Sequence, residues 1–443
     1  MESDSSDPGI QYEAHQLEAR FQSWKGNYQE AERLYGALLS ERPADAELRI
    51  GIADTLAWNG WTRRAGEKYR NLLNGKTAPA AWVGLAEIAR WRKRHGEAEE
   101  LYSRALELQP DHRQALEGIR KNQREAGPEL GLRGSSFRDS SDFDRDSLVA
   151  RYDLFRGHPL ALRTGAVRTR YRQADDRQVY RTVLPLQATW KAGPVFSGAA
   201  GVARNDYSEG PDSTSYFLHG FLAPPAERVR LRAGFDHYDM IDGADPFGEN
   251  FYNQALTIDV VALGIDLDEA WAGLTLRFTG RLTWDIDLAR ADISDGNERG
   301  TGFSRISYRV PARDQVVLFG QTYYQEVNER TLLYFDPVDF LSYGLGARWE
   351  GERGERFRFL LEGTLGLFPR EEDLLGGQLR AYAEWDLGES LSFRVTGNYL
   401  NSPEERGAFG ESYKATYLGL GLVKQIPLKN RRTAAPAGKA GRE

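Results

Sequence analysis

The stretch "LTLRFTGRLTWDIDL" (Leu274–Leu288) decides the fold. Leu274, Leu276, Phe278, Gly280, Leu282, Trp284, Ile286 and Leu288 fall on one face of an extended chain. Thr275, Arg277, Thr279, Arg281, Thr283, Asp285 and Asp287 fall on the other. A period of two means strand, here with one apolar face and one charged face.

The pattern spreads in both directions. "RVRLRAGFD" sets Val229, Leu231, Ala233 and Phe235 against Arg228, Arg230, Arg232 and Asp236. "RFRFLLEGTLGLF" (Arg356–Phe368) sets Phe357, Phe359, Leu361, Leu365 and Leu367 against Arg356, Arg358 and Glu362. "QLRAYAEWDL" (Gln378–Leu387) sets Leu379, Ala381, Ala383, Trp385 and Leu387 against Arg380, Tyr382, Glu384 and Asp386. About sixteen such runs fill 129–428, separated by turn signals such as "SEGPDS", "SDGNERG" and "NSPEERG". Runs of about ten residues joined by alternating short turns and longer loops are what a transmembrane β-barrel requires. Tyr152, Trp190, Tyr207, Tyr216, Trp271, Tyr323, Tyr324, Trp349, Tyr399 and Tyr417 stand near run ends, as interfacial aromatic girdles would. The competing reading is a soluble all-β fold, a propeller or large sandwich. The length of the runs and the rows of charge on the polar face favour a barrel with a wet lumen.

Residues 11–126 follow a different rule. Ala31, Ala65 and Ala98 recur at a period of about 34 residues, each followed by Tyr35, Tyr69 or Tyr102 and preceded by Trp24, Trp58 or Trp91. Each unit reads as two amphipathic helices that bury their apolar faces only by stacking on the next unit. The tryptophans are expected in the core. "DHRQALEGIRKNQREAG" reads as a closing helix. Residues 1–10 and 429–443 read as disordered ends.

The 443-residue chain has net charge −7, mean hydropathy −0.58 and no cysteine. The missing cysteines exclude disulfides, thiolate metal sites and cysteine nucleophiles. No apolar run approaches the length of a membrane-spanning helix. The charge balance gives no reason to expect nucleic acid as a partner. His15, His95, His112, His158, His219 and His237 are scattered without metal-site spacing, and no nucleotide or hydrolase motif is present, so no cofactor, metal or catalytic residue is expected. "MESDSSDPGI" lacks the basic and apolar regions of a leader and reads as a trimmed mature end behind an added Met.

Two stretches resemble known families. "GNYQEAERLYGALLSERP" and "HGEAEELYSRALELQP" resemble the second helix of the tetratricopeptide repeat. "ADTLAWNGWTRRAGEKYRNLL" and "LLYFDPVDFLSYGLGARWE" (Leu332–Glu350) resemble segments of exopolysaccharide export proteins: the poly-N-acetylglucosamine export porin, the cellulose synthase outer-membrane subunit and YaiO-like barrels. The expected fold class is therefore an α+β multidomain chain, an N-terminal all-α tetratricopeptide-type solenoid followed by a transmembrane antiparallel β-barrel of about 16 strands. The resemblance implies an outer-membrane porin for a secreted polysaccharide, sitting in outer-membrane lipid. Its repeat domain would lie in the periplasm and dock the polymer or periplasmic or inner-membrane synthase components. A small-solute porin with a scaffold domain, a barrel-type acyl hydrolase and a plugged structural adaptor are the alternatives.

The expected lumen lining is Arg228, Arg230, Arg232, Arg277, Arg281, Asp285, Asp287, Arg356, Arg358, Glu362, Arg380, Glu384, Asp386 and Arg394. The plain reading of this set is a solvated wall of mixed sign. The sharper one is a charge ladder matched to a polymer, where the lead of arginine favours an anionic glycan.

Overall fold

In the computed structural model seven helices are followed by sixteen strands. The structure describes residues 8–426 apart from 157, 193–194, 225–227, 242–244, 246, 248–256, 312–314, 330, 332, 335–338, 354–355, 370–373, 389 and 406–411. The tail 429–443 and most of the aromatic-x-Pro segment at 332–338 lie outside the described residues.

The helices are α1 (Pro8–Trp24), α2 (Tyr28–Glu41), α3 (Ala46–Trp58), α4 (Thr62–Arg70), α5 (Ala78–Trp91), α6 (His95–Leu108) and α7 (Arg113–Ala126). α1 thus starts inside the stretch expected to be disordered. The sequence period reappears as a packing period. Ala31, Ala65 and Ala98 are fully buried. The rings of Tyr35, Tyr69 and Tyr102 lie against Gly51, Gly84 and Gly118 of the following odd-numbered helix, where an added Cβ would sit 2.5, 2.3 and 2.3 Å from a ring. Tyr69 and Tyr102 donate to Asp54 and Glu87 at 2.5 Å each. The turns between paired helices pass through the left-handed region at Gly26 (φ 79°), Gly60 (φ 81°) and Lys93 (φ 57°). Glycine suits two of these positions, and the third unit carries the strain of a side chain there.

The tryptophans overturn the core expectation. Trp24, Trp58 and Trp91 are 64%, 41% and 41% exposed. The seam each helix buries is lined by small residues such as Ala53, Ala57, Ala86 and Ala89. Helices that approach this closely leave no room for an indole, which is turned outward instead.

The strands are β1 (Glu129–Asp139), β2 (Asp144–Leu154), β3 (Leu160–Arg172), β4 (Gln178–Ala192), β5 (Phe196–Tyr207), β6 (Ser213–Leu222), β7 (Val229–Asp239), β8 (Asp266–Arg277), β9 (Leu282–Ile293), β10 (Glu298–Arg309), β11 (Val316–Val327), β12 (Phe340–Arg353), β13 (Phe357–Phe368), β14 (Leu374–Asp386), β15 (Leu391–Glu405) and β16 (Ser412–Gln425). A short helix, α8 (Asp259–Ala262), interrupts the β7–β8 connection. Every strand pairs antiparallel with its sequence neighbours, and β1 pairs with β16, so the sheet closes with no free edge. A closed sheet satisfies all its backbone groups internally, the condition for crossing lipid with strands.

The outer surface has the polarity of a barrel set in a bilayer. Leu148, Leu218, Leu288, Leu345, Leu365 and Leu375 are among the most exposed large apolar side chains, at 59–75%. Outward-facing Trp190, Trp284, Tyr308, Trp349 and Trp385 ring the end near the helices. Tyr180, Tyr216, Tyr324 and Tyr343 ring the other. An apolar belt between two aromatic girdles is the expected build. The girdle expectation fails at Tyr207, Trp271, Tyr323 and Tyr417, whose register turns them into the lumen.

Candidate functional site

The lumen wall is built by parity. Residues that share the inward register with Asp285 and Asp287 of β9 include Arg230 and Arg232 of β7 and Thr275 of β8. Arg358, Glu362, Arg380, Glu384, Asp386 and Arg394 share it on β13 to β15. Arg232 Nε and Nη2 donate to Asp287 Oδ1 and Oδ2 at 2.9 and 2.7 Å, reaching over β8. Gly273 makes that reach available: a Cβ there would stand 2.3 Å from both partners. Arg358 and Arg394 converge on Glu384 at 3.1 and 3.2 Å, and Arg358 also meets Asp386 at 3.3 Å. Arg305, absent from the expected set, lies over the Phe319 ring at 4.2 Å and reaches Glu362 at 3.4 Å across two strands. The wall is thus of mixed sign and extensively ion-paired. The register pairs several of the expected arginines with expected carboxylates, Arg232 with Asp287 and both Arg358 and Arg394 with Glu384.

Four of the fourteen expected residues stand at the proximal mouth, the end that the helices cover. Arg356 is exposed in the β12–β13 turn. Arg228, Arg277 and Arg281 meet the helical domain. Arg281 Nη2 donates to Gly26 O at 3.2 Å. Arg228 lies over the Trp61 ring at 5.7 Å. Arg277 lies 3.6 Å from the Cβ position of Gly60. In the third unit, Lys191 Nζ donates to Arg92 O and Lys93 O at 3.1 and 3.3 Å. The contact therefore repeats with the helices. The C-terminal turns of α1, α3 and α5 carry the negative end of the helix dipole, and a cationic rim residue stands beside each. The sequence assigned Arg228, Arg277 and Arg281 to the channel wall and did not single out Lys191, because alternation gives a residue's face and not its height.

An apolar cluster spans the distal mouth. Phe137 of β1 and Tyr413 of β16 belong to the same buried cluster as Leu267 of β8 and Ile293 of β9, strands on opposite sides of the barrel. Ile241, Ile258, Val260 and Val261, from the 240–265 connection, join the two sides. Phe247 of the same connection is buried deeper, against Val149, Val167, Val183 and Ala203. Its carbonyl accepts from Arg133 at 3.0 Å, and Asp245 accepts from Gln187 at 3.2 Å.

One more inward group was not singled out as a site from the sequence. Asp236 of β7 is 3% exposed and accepts from Trp271 Nε1 at 2.5 Å and from His219 Nε2 at 2.7 Å. Its signal was the alternation itself, which put Asp236 on the face of Arg230 and Arg232. Among the described residues neither His219 nor His237 is hydrogen-bonded to a serine hydroxyl; His237 meets Asp268 at 2.9 Å on the outer face.

No protein-family model matches the chain, and no curated protein matches it. Solved structures do. One described as "Bacterial polysaccharide outer membrane secretin" aligns with a TM-score of 0.51 at 12% identity, over 68% of this chain and 99% of that one. OccK11 (OpdR) of Pseudomonas aeruginosa gives a TM-score of 0.38 at 10% identity, over 68% and 96%. OprD of Pseudomonas aeruginosa gives 0.37 at 9% identity, over 68% and 94%. At these identities the first likeness is one of fold, and the fold it shares is the β-barrel.

Proposed function

We propose that this chain is an outer-membrane conduit for a secreted polysaccharide, with the helical domain in the periplasm. The observation that carries the reading is a closed sixteen-strand barrel with a mixed-charge, partly aromatic wall, joined to helices that rest on one mouth. Sixteen strands enclose a lumen wide enough for an aqueous path. Paired charges and hydroxyls along it offer successive weak contacts, which let a polymer advance where a tight site would hold it. The name of the neighbour that aligns with a TM-score of 0.51 also speaks of a polysaccharide and the outer membrane. The connections support this orientation: the longest, 240–265, leaves the barrel at the end opposite the helices, and long loops face outward in barrels of this kind. The apolar cluster over the distal mouth weighs against a steadily open small-solute porin. The helices would dock synthase components or the polymer at the periplasmic mouth.

The test is a strain that lacks the protein, with polysaccharide assayed in medium and periplasm. Loss outside with accumulation or degradation inside is the expected result. Unchanged secretion would remove the reading.

A further inference from the structure

The inward wall of β6, β7 and β8 carries an aromatic group that the ion-paired wall does not account for. Phe217, His219 and Phe221 alternate along β6, and Trp271 approaches from β8 across Gly234. His219 lies 4.6 Å from Phe217, 5.0 Å from Trp271 and 6.4 Å from Phe221 between ring centroids. The rings lie over bare backbone. A Cβ on Gly201 would stand 2.3 Å from Phe217, and one on Gly234 would stand 2.5 Å from His219 and 2.6 Å from Trp271. Phe217 and Trp271 are half-buried, and Phe221 is 37% exposed. A buried carboxylate is costly unless fully bonded. Asp236 is bonded to ring nitrogens, so its burial fixes the orientation of two rings.

The position matters as much as the composition. Below this wall, Arg228 at the start of β7 and Arg277 at the end of β8 hold the turn of the second helical unit. Exposed Trp58 stands in that unit directly before the docked turn. Arg232 and Asp287 flank the rings from within the lumen. Aromatic side chains therefore stand both on the helical unit docked at the mouth and on the wall inside it, the latter flanked by an ion pair that offers hydrogen-bonding groups of both signs.

We propose that Phe217, Phe221 and Trp271 form a stacking track for the pyranose rings of a saccharide chain, with Asp236 and His219 as positioning residues. The choice of a saccharide rests on the export reading above. A pyranose with equatorial hydroxyls presents axial C–H groups on its faces, which pack on an aromatic ring by dispersion while the hydroxyls point sideways to Arg232 and Asp287. Such contacts are weak and do not specify one register, so a chain can slide from ring to ring.

The test is calorimetric titration of the full chain in detergent with cellohexaose, chitohexaose and an alginate hexamer as probes. Binding of at least one probe is expected. Trp271→Ala and Phe221→Ala should each weaken it by roughly 3- to 10-fold, and Trp271→Phe should stay within about twofold of the parent. Asp236→Leu should weaken binding with the barrel still folded by circular dichroism, and Trp284→Ala on the outer face should change nothing. No binding of any probe, or equal affinity in the parent and Trp271→Ala, would overturn the track. Secretion separates this from the parent reading. If the deletion strain stops secreting and the Trp271→Ala/Phe221→Ala variant secretes normally, the track fails and export stands. If the deletion strain secretes normally, export fails whatever the titration shows.

Discussion

Asp54 shows how much a single side chain can cost this fold. It sits on α3 where the Tyr69 hydroxyl meets it, and burial pushes its carboxyl up to about 6. A carboxyl raised in the folded state binds its proton more tightly there than in the unfolded chain. Its contribution to stability is therefore complete below about pH 4 and lost as the pH rises towards 6. Asp54→Asn keeps an acceptor for Tyr69 and removes the charge. At pH 7.5 the variant should be more stable by about 1 to 3 kcal/mol, and below pH 4 the difference should vanish. Thermal melts of the helical signal at the two pH values check this; an equal gap at both would contradict it. The same scale shows where sequence reading failed. Trp24, Trp58 and Trp91 recur in register with buried alanines, and recurrence alone does not say which side of a helix a residue takes. The small seam residues decided that, by bringing the helices too close for an indole.

At the scale of elements, the strands were legible because lipid and water on opposite faces write a period of two into the chain. "LTLRFTGRLTWDIDL" spans β8, its turn and β9, and its two faces are those of the barrel wall. The 240–265 connection was not legible. Ile241, Ile258, Val260 and Val261 follow no period of two, since they pack between strands distant in sequence. The account predicts a low resting conductance in planar bilayers. Replacing Ile258, Val260 and Val261 by Ser should loosen the cluster and raise the time-averaged current several-fold, at unchanged strand content. A parent protein that already conducts steadily would show that the cluster does not close the path.

At the scale of the whole molecule, the helices and barrel meet through a repeated contact. Arg277 and Arg281 read from the sequence as channel lining, where charge reversal would alter ion selectivity. Their contacts with Gly60 and Gly26 make them rim residues instead. Arg277→Glu with Arg281→Glu should free the helical domain, seen as faster hydrogen exchange and proteolysis in α1 to α4, while the barrel keeps its resistance to unfolding in cold detergent. Unchanged protection would mean that the covalent link at Gly127–Pro128 alone sets the arrangement.

The claim that a polymer passes through this lumen can be tested with one pair of residues. Ala289 and Leu288 are neighbours on β9, facing lumen and lipid respectively, and the chain has no cysteine of its own. Each is changed to cysteine and labelled in cells with a bulky maleimide, with occupancy checked by mass, and polysaccharide released into the medium is measured. The account predicts that a fully labelled Ala289→Cys strain stops releasing polymer while a labelled Leu288→Cys strain continues. Undiminished release from the labelled Ala289→Cys strain would contradict it.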